Sequence, residues 1–141
     1  MVYLITGDKG MGKTSYMLEE ANQAMQTATG NIVYVDKSSK HMYELNNRIR
    51  LIDISKFPVK NKDQFTGFIC GILSQDHDIE KMFLDNFLKI SFVGKDFEAA
   101  EKTIEELEEI GKIFGVEFIA AFTAEKEELG ETLQARVTKA L

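Results

Sequence analysis

Residues 7–14 read GDKGMGKT and satisfy the pattern G-x-x-x-x-G-K-[ST] at every fixed position. The flanks have the order that this pattern requires. Val2, Tyr3, Leu4 and Ile5 form a short β-prone apolar run before Gly7, and after Lys13 the apolar residues Met17, Ala21, Ala24, Met25 and Ala28 recur at helical spacing. Gly7, Gly10 and Gly12 allow backbone conformations that a Cβ would penalise, so successive amide N–H groups can turn inward. With the positive end of the following helix they make a nest for a di- or triphosphate. The pattern assigns Lys13 to the β- and γ-phosphates and the Thr14 hydroxyl to magnesium. The whole stretch of Gly7, Asp8, Lys9, Gly10, Met11, Gly12, Lys13 and Thr14, with the adjoining Ser15, is expected to line a nucleotide. Asp8 and Lys9 carry opposite charges expected to cancel, with Asp8 turned to solvent. With glycine at about 7 % of residues, the fixed positions should coincide by chance in well under about one chain in a hundred of this length.

Outward from the loop, apolar runs and periodic stretches alternate. A helix is expected from about Lys13 to Thr27, stopped by Thr29-Gly30-Asn31. Ile32 to Val35 is a continuous apolar run, as in a strand buried on both faces. Asp36 to Leu45 is polar, with room for a short helix, and Ile49, Leu51, Ile52 and Ile54 suggest a strand ended by Pro58. Phe65, Phe68, Ile69, Ile72 and Leu73 fall on one helix face. Ile79 and Met82-Phe83-Leu84 lead to Asp85, a strand ending in a carboxylate. Phe97, Ala100, Ile104, Leu107 and Phe114 mark a long helix whose outer face is acidic, and Val116 to Phe122 is a further strand. A short helix near Ala124 to Leu129 and an edge strand or helix through Leu133, Val137 and Leu141 complete the pattern. Strands alternating with helices predict a three-layer α/β/α sandwich around a mostly parallel sheet, with the site at the carboxyl ends of the strands.

The 141 residues, 44 % apolar and 28 % charged, suit one domain, residues 1–141, with a single sizeable core. No leader pattern precedes the first strand, no run approaches the roughly 20 apolar residues of a bilayer span, and a lone Cys70 excludes a disulfide framework or cysteine metal site. A cytoplasmic protein is expected. Residues 37–62 hold seven basic side chains against two acidic ones, a net of +5 within a total of −6. That segment reads as a basic patch for nucleic acid or an acidic partner, or more simply as a solvated connector. His41 and His77 stand in polar stretches and are expected to be exposed.

The phosphate loop needs a partner for magnesium, and KMFLDNFLKIS supplies an apolar strand ending in Asp85, the Walker B pattern. The order GDKGMGKT, NIVYVDKSSKHMYEL, KMFLDNFLKIS and IEELEEIGKIFGVEFIAAFTAE resembles the core of RecA-like P-loop ATPases, especially the KaiC and RadA branch, over roughly residues 2–125. The resemblance implies the P-loop fold, ATP or another nucleoside triphosphate with Mg2+, Lys13 on phosphate, Thr14 and Asp85 on the metal, and Thr123 near the sensor position. It also implies a water-activating glutamate just after the second strand. Aligned on Tyr34, that position holds Ser38, and Asp36 is the nearest carboxylate; a small register shift makes Asp36 the catalytic acid–base candidate beside Lys13 and Asp85. Asn86 follows Asp85 where other ATPase branches place a catalytic glutamate, and an asparagine holds a water without accepting its proton. Arg48, Arg50 and Arg136 are the only arginines, so an arginine finger is one of these or a partner's. The chain also reads as stopping near the end of the core, without further domains.

These features predict a slow magnesium-dependent ATPase, with a non-hydrolysing nucleotide-dependent regulatory or binding module and a small-molecule kinase as alternatives. The expected partners are the nucleotide, further copies of the chain or another protein, with nucleic acid restricted to the 37–62 segment and no membrane.

Overall fold

The computed structural model describes all residues, 1–141. Strands β1 (Val2–Gly7), β2 (Asn31–Asp36), β3 (Arg50–Asp53), β4 (Ile79–Leu84), β5 (Glu117–Thr123) and β6 (Val137–Ala140) form one sheet in the order β3-β2-β4-β5-β1-β6. Every pairing is parallel. Helices α1 (Lys13–Thr27), α2 (Lys62–Gln75), α3 (Phe87–Ile90), α4 (Phe97–Phe114) and α5 (Glu131–Gln134) connect the strands.

The three layers follow from which side chains each strand sends to which face. Met17, Leu18, Ala21 and Met25 of α1 pack on Ile5, Ile32, Tyr34, Phe83 and Ala121. Phe65, Ile69 and Leu73 of α2 and Ala100, Ile104 and Leu107 of α4 pack on the opposite face, against Leu4, Val33, Val35, Met82, Leu84 and Phe118. Strands covered on both faces must be apolar throughout, and that is why their runs show no alternation. Capping fixes the helix starts: the side chain of Asn61 accepts from the Gln64 amide at 2.9 Å and that of Asp96 from the Ala99 amide at 3.1 Å.

Several sequence expectations take a tighter form. The short helices near 36–45 and 124–129 are 3₁₀ turns at Met42–Glu44 and Lys126–Glu128, and Ile54 belongs to a third such turn rather than to a strand. The tail supplies both alternatives, α5 and then β6 beside β1. Helix α3 escapes a periodicity reading because four residues are about one turn.

Gly111 interrupts an otherwise good helix former because α4 and β5 nearly touch there. A Cβ at Gly111 would lie 2.6 Å from the Val116 carbonyl oxygen. Gly111→Ala is therefore expected to cost about 1–3 kcal/mol through overpacking, although alanine has the higher helix propensity. Thermal unfolding checks this: a lowered Tm is expected, and an unchanged Tm contradicts the contact.

Candidate functional site

Parallel strands bring their carboxyl ends to one edge of the sheet. There Gly7 pairs with Thr123, and the Asp85 amide donates to the Val35 carbonyl at 2.9 Å, which sets Asp85 beside Asp36. The chain leaves β1 for β2 through α1 on one face and leaves β4 for β5 through α4 on the other. Such a reversal opens a crevice at the strand ends. A cleft of about 400 Å³ lies there, and its walls include Gly10, Gly12, Lys13, Thr14, Ser15, Asp36, Asp85, Asn86 and Thr123.

The loop has the backbone that an anion nest needs. Gly10 and Gly12 sit at φ 84° and 91°, a region closed to most side chains. Gly12 starts α1 with no side-chain cap and no acid in the first turn, in contrast to α2 and α4. The first amides of α1 thus keep their positive potential at the cleft.

Lys13 is 9 % exposed and its Nζ donates to the Asp8 carbonyl oxygen at 3.0 Å. Desolvation pulls its pKa below the ordinary lysine value, while Asp85 and Asp8 act in the opposite direction. A cation in this position gains more from an anionic ligand than an exposed one does.

Asp85 and Asp36 are each 2 % exposed. The Asp85 carboxylate accepts from the Tyr34 hydroxyl at 2.8 Å and from the Asn86 amide at 2.8 Å. Asp36 accepts from the Lys37 amide at 2.7 Å and from Asn86 Nδ2 at 3.0 Å. Burial and then the neighbouring Asp85 raise the Asp36 pKa, against the donors from Lys37 and Asn86. Asn86 is in the left-handed region at φ 54°, which asparagine tolerates better than most residues. Its turn is anchored by Phe87, which stacks on Phe122 at 5.1 Å and meets Phe65 edge-on at 5.8 Å. The aromatic packing thereby holds Asn86 between the two carboxylates.

The residues present fit a magnesium nucleotide. The Ser38 hydroxyl lines the cleft and has no hydrogen-bond partner within the protein. Thr14 and Asp85 offer hard oxygen donors of the kind magnesium selects, and Lys13 with the amides of α1 offers charge for phosphate.

Lys9 forms no ion pair with Asp8. Asp8 is turned to solvent, as expected, and its proximity raises the pKa of Glu125. His41 is half-buried, lines the cleft and contacts the Glu44 carboxylate rather than standing free. None of the arginines lines the cleft. Arg50 pairs with Asp76 at 3.3 Å and Arg136 with Glu108 at 2.7 Å, both near the amino ends of the strands. The basic 37–62 segment is dispersed: Lys37 and Lys40 line the cleft, whereas Lys62 pairs with Glu106 at 2.9 Å.

Sequence reasoning missed Tyr34 as part of the site, since its bond to Asp85 spans 51 residues. Burial and then Asp85 push its pKa up, so the hydroxyl stays a donor. Tyr34→Phe is expected to raise the magnesium requirement for nucleotide binding about tenfold, the usual scale for losing an orienting partner of a metal ligand. Unchanged magnesium dependence would contradict that role.

No protein-family model and no curated protein sequence matches the chain. Among solved structures it resembles domain III of the Thermotoga maritima replication initiation protein DnaA, with a TM-score of 0.47, 17 % identity, and 99 % of this chain and 54 % of that chain covered. It also resembles C. elegans PCH-2, with a TM-score of 0.50, 15 % identity, and 99 % and 34 % covered. The chain thus spans about half and about a third of those chains. The likeness does not single out the RecA or KaiC branch. At these identities it concerns the fold alone, and the chain has the α/β fold of P-loop NTPases.

Proposed function

We propose that the protein binds ATP, or another nucleoside triphosphate, with magnesium and hydrolyses it slowly in the manner of RecA- and KaiC-like ATPases, in the cytoplasm. The observation that carries this reading is the convergence of the uncapped α1 amides, Lys13, Thr14, Asp85 and Asp36 on one cleft. Lys13 and the loop amides would hold the β- and γ-phosphates, and Thr14 and Asp85 would hold the magnesium. Bound magnesium supplies neutralising charge on the phosphate oxygens. Asn86 and the Lys37 amide orient Asp36, whose raised pKa suits it to take the proton of a water attacking the γ-phosphorus as the bond to ADP breaks.

A second reading, a nucleotide-dependent module that turns over only in an assembly, is favoured by the absence of arginine from the cleft. A finger supplied by another chain would then complete the charge stabilisation. Phosphate release measured against protein concentration separates the two. Release per chain that is magnesium-dependent and constant with concentration supports the self-sufficient ATPase. Release that rises with concentration supports assembly, and none at any concentration contradicts hydrolysis by the chain alone.

A further inference from the structure

We propose a second anion site, for the phosphate group of an ester with an apolar organic part, built from Lys9, Lys37, Lys89 and Lys95 beside the nucleotide cleft. These four lysines line a pocket of about 290 Å³ that shares Lys9, Lys37, Asn86 and Thr123 with the nucleotide cleft. Lys89, on α3, and Lys95, just before α4, line this pocket and not the nucleotide cleft, so it is more than an extension of the phosphate loop. The fold assembles the cluster from three separate stretches of the sequence, at Lys9, at Lys37 and at Lys89 to Lys95, unlike a run of charges on one solvated face.

The electrostatics point to a ligand. No carboxylate lines the pocket, and none of the four ammonium groups has a carboxylate within 4.0 Å. Carboxylates are not scarce, since the chain has 23 acidic residues, and Lys62, Lys81 and Lys102 each have an acidic partner. The Lys95 ammonium instead donates to the Thr123 carbonyl at 3.1 Å and lies 5.8 Å from the Phe97 ring centre. Four exposed lysines bordering one hollow without a carboxylate give it a positive potential that a multiply charged anion complements. Phosphate suits them, being compact, multiply charged and well matched to lysine as a point-charge partner.

The ester is argued from the adjoining surface. Lys37 and Lys89 also border a neighbouring recess of about 370 Å³ lined by Phe57, Val59 and Phe92. Phe57 and Phe92 are 48 % and 50 % exposed, and Phe92 is held at φ 65°. A bulky residue at positive φ is strained, and such strain concentrates at ligand sites. A phosphate on the lysines would place its organic part against these rings.

Calorimetric titration with inorganic phosphate and with phenyl phosphate tests the proposal on three proteins: the natural chain with its phosphate loop saturated by a non-hydrolysable ATP analogue and magnesium, Lys13→Ala, and Lys89→Ala/Lys95→Ala. Binding of phenyl phosphate is expected in the first two and about tenfold or greater weakening in the third, the scale of a lost charge-assisted contact. Lys95→Gln provides a milder variant, and an unchanged circular dichroism spectrum and Tm verify folding of each. Persistence in Lys13→Ala keeps the result independent of nucleotide binding. No binding of either probe, or equal binding by the double variant, overturns the site. Inorganic phosphate binding as tightly as phenyl phosphate overturns the ester, as does a preference that survives Phe92→Ala.

Discussion

Lys13→Ala is expected to weaken ATP binding by roughly 10²- to 10⁴-fold, as measured by calorimetric titration. Two charge-assisted contacts to phosphate are lost, each worth about 1.5–3 kcal/mol. The same substitution is not expected to destabilise the nucleotide-free protein in proportion. Lys13 is nearly buried, its pKa is lowered by desolvation, and its hydrogen bond is to a loop carbonyl. A merely structural lysine would show the reverse: a large fall in Tm with little specific loss of binding. Near-natural affinity in a folded Lys13→Ala protein would remove Lys13 from the phosphate contacts.

Asp36→Asn is expected to reduce phosphate release about 10²- to 10⁴-fold, the range for a lost general base, while leaving ATP binding within severalfold of the natural protein. It is also expected to raise the Tm of the nucleotide-free protein at neutral pH, with a gain on the order of 1 kcal/mol. The sign follows from linkage. Burial and the adjacent Asp85 raise the folded pKa of Asp36 above its unfolded value. Between those two values the folded state binds the extra proton, so stability falls as pH rises through the window. Asparagine cannot ionise and should remove that slope. Its side-chain oxygen can still accept from Asn86 Nδ2, so the fold is preserved. Hydrolysis unchanged in Asp36→Asn would exclude Asp36 as the base. A lowered Tm with hydrolysis lost would mark it as structural.

The parts of this site carried by local sequence were legible without the structure. The loop, the α1 start and the buried strands announce themselves through glycine spacing, helical periodicity and unbroken apolar runs, because each signal is set by neighbours in sequence. Asp85 was legible for the same reason, as the polar end of an apolar run. Asp36 was legible only as the nearest carboxylate, because its nearness to Asp85 depends on the parallel pairing of β2 with β4. Alignment on Tyr34 pointed to Ser38, which also reaches the cleft. The Tyr34–Asp85 and Asn86–Asp36 hydrogen bonds span 51 and 50 residues and have no local signature. The left-handed turn at Asn86 leads into a helix of one turn, too short for periodicity. The lysine pocket was hidden for the same physical reason, since Lys9, Lys37 and the Lys89–Lys95 segment meet only after folding.

This edge of the sheet is proposed to hold a magnesium nucleotide. The most direct test is calorimetric titration of the folded chain with a non-hydrolysable ATP analogue, in magnesium and again in EDTA. Saturable binding that strengthens about tenfold or more with magnesium is predicted, from the charge that the metal neutralises on the phosphates. A folded chain that binds no analogue in either buffer would contradict the account.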